Sequence, residues 1–182
     1  TLDRKFDIIE SAGVLHHMEE PLVGWQVLVD LLKPQGLMKI ALYSEIARKH
    51  VVEIREFIAK KGYGSSPKDI RECRSEIMNM LTDSKSRVQT IINSKDFYSL
   101  SSCRDLLFHV QEHRFTLPQI ANALEKMDLT FIGFDCSPQI KNQFKAYYPS
   151  NEDLFSLELW HQFEQDHPDT FVRMYQFWVQ KN

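Results

Sequence analysis

Apolar positions along the chain change rhythm three times. Phe6-Asp7-Ile8-Ile9-Glu10 is short, apolar and β-branched and runs into Ser11-Ala12-Gly13, which predicts a buried strand ending in a loop. From Pro21, a favoured first helical residue, Leu22, Trp25, Leu28, Val29 and Leu32 recur at spacings of three and four, so a helix with one packed face follows and stops before Pro34. Lys33-Pro34-Gln35-Gly36 predicts a turn, and Leu37 to Tyr43 a second buried strand. Strand, helix, strand at this spacing favours a parallel pair with a right-handed helical crossover.

The second rhythm is helical. Ser44 is placed to cap a helix to about Lys60, with Ala47, Val51, Ile54 and Ile58 on one stripe, and Gly62-Tyr63-Gly64 breaks it. Ser66-Pro67-Lys68-Asp69 opens another helix to about Met80. Residues 83 to 100 are polar and suggest a short helix and a loop. Ser102 with Asp105, and Thr116 with Gln119, read as capping boxes, the latter opening a helix that reaches Met127. Residues 44–127 are thus expected to form a helical insertion. Strand character returns at Leu129 to Phe134 and at Phe171 to Val179, with helices opened between them at Ser137-Pro138 and by Ser150 with Asp153. The expected fold class is α/β: one domain spanning residues 1–182, with two parallel strands, two later strands of which one is reversed, and a large helical insertion.

Composition adjusts this picture in a few places. The 182 residues are 43% hydrophobic and 26% charged, enough apolar content for a core and too much for a disordered tail. No apolar run approaches the length of about 20 residues that crosses a bilayer. A formal charge of -3 gives no global basic field of the kind that marks nucleic-acid binders. Cys73, Cys103 and Cys136 are widely spaced, which suits reduced thiols in a cytoplasm. The chain opens on Thr1-Leu2-Asp3-Arg4-Lys5, with neither a secretory leader nor an initiator Met, and runs at once into a strand. Its glycines number only six.

Candidate chemistry gathers after the first strand, in Gly13-Val14-Leu15-His16-His17-Met18-Glu19-Glu20-Pro21. Ligands of open parallel sheets lie outside the carboxyl ends of strands, and imidazole titrates near neutrality, so His16 and His17 are candidate bases; the plainer reading is a polar loop.

The run from Phe6 to Met18, then a helix, then Leu32-Lys33-Pro34-Gln35-Gly36-Leu37, resembles the fourth strand, fourth helix and fifth strand of a class I S-adenosylmethionine-dependent methyltransferase, a Rossmann-like fold. Leu129 to Phe134 and Phe171 to Val179 would then be its sixth strand and its reversed seventh. Gln35 departs from the pattern, standing where the family usually has Gly. Through Tyr43-Ser44-Glu45-Ile46-Ala47-Arg48 and on to Asp105-Leu106-Leu107-Phe108-His109, the chain is similar to bacterial methyltransferase domains joined to tetratricopeptide repeats.

The resemblance implies S-adenosylmethionine as cofactor and an unidentified methyl acceptor as partner. It puts Ser11, Ala12, Val14 and His17 on the cofactor's methionine side. His16, His17 and Tyr43 fall among the residues acting on the acceptor, with Ser44, Arg48, His109, Glu112, His113 and Arg114 lining its pocket. The insertion would be a lid. Arg48 is alternatively a solvated helix charge. The family's glycine-rich loop after the first strand and acid after the second have no counterpart, since Gly62-Tyr63-Gly64 follows a helix. The chain is therefore expected to be the C-terminal portion of such an enzyme, a fragment binding the cofactor weakly or not at all when isolated.

Two other readings compete. His109-Val110-Gln111-Glu112-His113 spells H-x-x-E-H, a zinc-hydrolase pattern when it lies on one helix, with Glu152, Glu158 and Glu164 as arithmetical third ligands. Cys103-Arg104-Asp105 beside it reads as cap and surface. The first strand's exposed edge would alternatively make the chain a non-catalytic module pairing as a homodimer.

Overall fold

The computed structural model describes residues 2–80, 87–108 and 111–182. In chain order its strands and helices are β1 (Phe6–Ala12), α1 (Pro21–Leu31), β2 (Leu32–Ser44), α2 (Lys49–Lys61), α3 (Pro67–Asn79), α4 (Arg87–Ile92) and α5 (Leu100–Leu107). There follow β3 (Arg114–Phe115), α6 (Leu117–Lys126), β4 (Leu129–Phe134), α7 (Pro138–Tyr147), α8 (Leu157–Asp166) and β5 (Tyr175–Lys181). The chain divides into two compact units, Thr1–Ala47 with Gln111–Asn182, and Arg48–Val110. The helical unit is thus shorter than the 44–127 bounds drawn from sequence, because residues 111–127 supply β3 and α6 to the sheet unit.

In the sheet unit the strand order is β1-β2-β5-β4, with β3 pairing the end of β2. β1 and β2 are parallel, and β5 runs antiparallel to both β2 and β4. Two parallel strands followed by a reversed last strand is the arrangement expected from the sequence. The Lys33–Gly36 turn is accommodated inside β2: Phe6 pairs with Leu32 but Ile8 with Leu37, so the residues between loop out. Gln35 sits there at φ 61°, a left-handed conformation that a side chain with a Cβ disfavours. At Gly36 a Cβ would stand 2.8 Å from the Lys33 carbonyl oxygen, which explains a glycine at that position.

The apolar core of the sheet unit is one continuous cluster. Trp25 and Val29 of α1, Met38, Ile40 and Leu42 of β2, Phe177 and Val179 of β5, and Ile120 and Leu124 of α6 share one core with Phe144 of α7 and Trp160 and Phe163 of α8. Phe144 and Trp160 stack with ring centroids 3.8 Å apart. Burial of each such side chain contributes about 1.5–3 kcal/mol.

Local capping chemistry shows where the sequence was readable. Ser66, Thr116 and Ser137 cap α3, α6 and α7, Thr116 in a full capping box with Gln119, and Gly62 ends α2 at φ 74°. Four expectations are corrected. The helix expected from Ser44 begins at Lys49; Ser44 Oγ does accept the Ala47 N–H at 3.0 Å, but within a turn. α5 is capped by Ser99, not Ser102, so Ser102 and Asp105 lie inside it. Ser150 and Asp153 close only a 3₁₀ turn, Glu152–Phe155, and Ser156 caps α8. The last strand starts at Tyr175 because Phe171 is buried among Phe134, Trp160 and Tyr175, anchoring a turn instead of extending a ladder. Residues 83–86, the start of the ambiguous polar stretch, lie outside the described residues.

The helical unit has its own core, built from Val51, Ile54 and Ile58 of α2, Ile70, Cys73 and Ile77 of α3, Ile91 and Ile92 of α4, and Cys103 and Leu107 of α5 with Phe97. Arg55 donates through Nη2 to the Leu106 carbonyl at 2.8 Å, satisfying an acceptor that the end of α5 leaves open. Burial pushes the Cys73 thiol up to about 12 and the Cys103 thiol to about 11. Among the described residues no helix is long and apolar enough to cross a membrane.

Two measurements probe these features. Gln35→Gly should raise stability by about 1 kcal/mol by removing left-handed strain, read as a higher urea midpoint; an unchanged or lower midpoint would show the loop carries no strain. Cys73 and Cys103 should resist a maleimide reagent in the folded protein at about pH 7.5 and react on unfolding, because the thiolate is the reactive form.

Candidate active site

The candidate site lies at the carboxyl ends of β1 and β2 in the sheet unit. After Ala12 the chain turns at Gly13, φ 76°, and forms a 3₁₀ turn over Leu15–His17 before α1. Leu15 and His16 are buried, His17 is partly covered, and Val14 is 55% exposed. The His16 ring stands 4.3 Å from the rings of both His17 and Tyr43, so β1's loop and β2's end meet at these three side chains.

Residues 111–115 tie that loop to β2. The His113 N–H donates to the His16 carbonyl at 2.8 Å, and His17 Nδ1 lies 3.1 Å from the Gln111 carbonyl. A carbonyl only accepts, so Nδ1 carries a proton and the neutral ring's lone pair is on Nε2. Arg114 and Phe115 then pair with Tyr43 and Ser44 as β3, and the Glu45 N–H donates to the Phe115 carbonyl at 2.9 Å. Sequence inspection missed this strand because two residues carry no periodicity.

Beneath β2's end is a buried carboxyl group. Glu164 of α8 is wholly buried; it accepts from the Ser44 hydroxyl and, at 2.6 Å, from the Tyr175 hydroxyl. Burial raises the Glu164 pKa, and the two hydroxyls oppose that rise. Burial, then the adjacent Glu164, raises the Tyr175 phenol. Ser44, read from the resemblance as facing an acceptor, is fully buried with its proton committed to Glu164.

The other expected site residues are distributed as follows. Ser11 is buried opposite Ile40 in the β1–β2 ladder, and Ala12 is exposed opposite Ala41. Arg48 belongs to the helical unit, at the N-cap of α2, and is 5% exposed, which excludes a solvated charge. His109 lies outside the described residues. Glu112 and His113 are in no helix, since α5 ends at Leu107 and β3 begins at Arg114, so these two lack the helical setting the H-x-x-E-H reading requires. Among the described residues no three His, Cys, Asp or Glu side chains form a metal-holding group. Glu164, one arithmetical ligand, is the acid between Ser44 and Tyr175.

The loop after β1 leaves both backbone and apolar surface uncovered. A Cβ at Gly13 would meet nothing within 4 Å, leaving backbone approachable, and Val14 offers an uncovered apolar surface beside it.

Comparison with known proteins bears on the fold. The chain matches no protein-family model. It is similar to an uncharacterized protein of Synechococcus sp., 30% identical over an alignment of 141 residues that covers 73% of this chain and 33% of the relative. It superposes on PKMT2 from Rickettsia typhi in complex with AdoHcy with a TM-score of 0.66 at 17% identity, covering 98% of this chain and 36% of that one. A second structure of PKMT2 from Rickettsia typhi gives 0.65 at 17% identity, over 97% and 35%. The chain therefore shares the α/β fold of the matched part of these solved chains. It spans about a third of the length of the curated relative it matches and of these solved chains.

Glu164→Gln tests the buried acid. A carboxyl group whose folded pKa is raised contributes most below its ordinary pKa of 4.5, and that contribution erodes as pH rises through the folded value. The amide has no such erosion, so the stability gap between wild type and Glu164→Gln should narrow as pH increases from about 4 to about 8. Parallel urea-midpoint curves across that range would rule out a raised Glu164 pKa.

Proposed function

We propose that these residues form the carboxyl-side part of an S-adenosylmethionine-dependent methyltransferase site. The observation that carries the reading is the loop after β1. It sits at the carboxyl end of a parallel pair, in a fold shared with a protein solved in complex with AdoHcy, and presents Gly13, Val14 and His17 together. Ser11, Ala12 and Val14 would flank the cofactor's methionine side, largely through backbone, beside His17.

When bound, S-adenosylmethionine supplies an electrophilic methyl group on a positively charged sulfur. The protein's part is to align the acceptor, exclude water and take a proton where the acceptor carries one. His17 suits the last of these roles, since with Nδ1 held at the Gln111 carbonyl its ring orientation is fixed and Nε2 receives the proton. His16, buried between His17 and Tyr43, positions both rings. His113 and Arg114, on the segment that crosses this loop, are the acceptor-side residues. Because the glycine-rich loop and ribose-binding acid have no counterpart in these residues, cofactor binding by this chain alone is weak or absent.

Titration calorimetry with S-adenosylhomocysteine separates the two parts of the proposal. A longer protein that carries these residues should bind it saturably, while the 182-residue chain should bind it at least about tenfold more weakly. No binding by the longer protein would overturn the methyl-transfer reading, and tight stoichiometric binding by the chain alone would overturn its incompleteness. In the longer protein, His17→Asn should retain binding but lower methyl transfer by about 10²-fold or more for an acceptor that must lose a proton.

A further inference from the structure

A cleft of about 620 Å³ opens in the sheet unit between the start of α1 and the exposed side of α6. Its apolar wall is formed by Pro21, Leu22, Phe115, Pro118 and Ala123; its polar lining is His113, Arg114, Gln119, Asn122 and Lys126. The volume falls in the range of sites for small organic molecules.

The charge of the lining is one-sided. Arg114 and Lys126 both face the cleft, and among the described residues no Asp or Glu lines it. Arg114 Nε is shielded from solvent and has no hydrogen-bond acceptor among the described residues. A shielded donor without an acceptor is costly, and a ligand oxyanion that reaches the guanidinium relieves that cost. The backbone of Arg114 is fixed by pairing with Tyr43, so this guanidinium is presented from a strand anchored in the sheet. Gln119 is held at the start of α6 by its capping bond with Thr116, which fixes that rim of the cleft.

We propose that this cleft binds an amphipathic organic anion: an oxyanion head, carboxylate or phosphate, at Arg114 and Lys126, and an apolar body against Leu22, Phe115 and Pro118. The guanidinium fork matches two oxygens of either head group, and the ammonium of Lys126 adds a second positive charge. The cleft shares His113 and Arg114 with the acceptor side of the proposed methyltransferase site, but its occupant is read without cofactor, so failure of this proposal and failure of the methyl-transfer reading are distinguishable.

Calorimetry on the full chain with 1-naphthyl phosphate, 1-naphthoate and the neutral 1-naphthalenemethanol tests it, with inorganic phosphate as the bare head group. At least one of the two aromatic anions should bind saturably at one per chain, at least about tenfold more tightly than the neutral alcohol and than inorganic phosphate. The tighter of the two anions identifies the head group. Lys126→Gln, at an exposed position, and Arg114→Gln should each weaken that anion by about tenfold. Leu22→Asp, also at an exposed position, removes an apolar contact and places a carboxylate in the wall, so it should weaken the anion by a larger factor than the neutral alcohol, which keeps the test valid should Arg114→Gln fail to fold. Equal binding of anion and alcohol, anion binding indifferent to Lys126→Gln and Leu22→Asp, or no saturable anion binding would each overturn the proposal.

Discussion

The end of β2 depends on one buried acid. Glu164 has no access to solvent, and a carboxyl group in that position is tolerable only if its oxygens find donors. It finds two, the hydroxyls of Ser44 and Tyr175, one at the last residue of β2 and one at the first of β5. The network thus joins α8 to two adjacent, oppositely directed strands at the end of the sheet where ligands of such folds are bound. Ser44 in turn accepts the Ala47 N–H, so the same hydroxyl that satisfies the acid shapes the turn by which the chain leaves the sheet. Losing any one partner would leave another buried polar group unmatched, which is why the cost of breaking such a network exceeds that of one hydrogen bond.

From this fixed corner the rest of the candidate site is held mainly by backbone. β3 pairs with Tyr43 and Ser44, and the three residues before it reach the β1 loop through the His16 and Gln111 carbonyls. The candidate side chains are thereby mounted on a small frame held by backbone hydrogen bonds. His17 has its ring orientation set by the chain crossing it, and Arg114 has its backbone set by β2. The segment that holds the loop also carries His113 and Arg114 into the lining of the cleft beside α6.

Local features were legible in the sequence and distant ones were not. Pro21, Ser66, Thr116, Ser137 and Gly62 act within a few residues of themselves, and their roles follow from backbone chemistry alone. The β1–α1–β2 unit was readable because its periodicity changes sharply at Gly13 and Pro34. The role of Glu164 was hidden: its partner Ser44 is 120 residues away, and nothing near either residue signals the pairing. Ser44 was consequently read as both a helix cap and a substrate contact. Phe171 misled for a related reason, since an aromatic residue before a strand looks like strand until tertiary contacts with Phe134 and Trp160 claim it. Of the candidate site, the His16–His17 loop stood out by composition, whereas the two-residue β3 that positions His113 and Arg114 left no trace.

The pairing of Glu45 with Phe115 also bears on how such a chain diversifies. The sheet unit is left just after Ala47 and re-entered at Gln111, and both stubs are hydrogen-bonded into the same corner. The 63-residue stretch between them is, from the standpoint of the sheet, a loop whose two feet stand side by side. The entropy of closing a loop grows only with the logarithm of its length, so such a stretch can be exchanged, enlarged or trimmed at little cost to the register beneath it. The corner therefore works as a socket, in which new helical material can be tried by recombination while the chemistry-bearing strands stay in place.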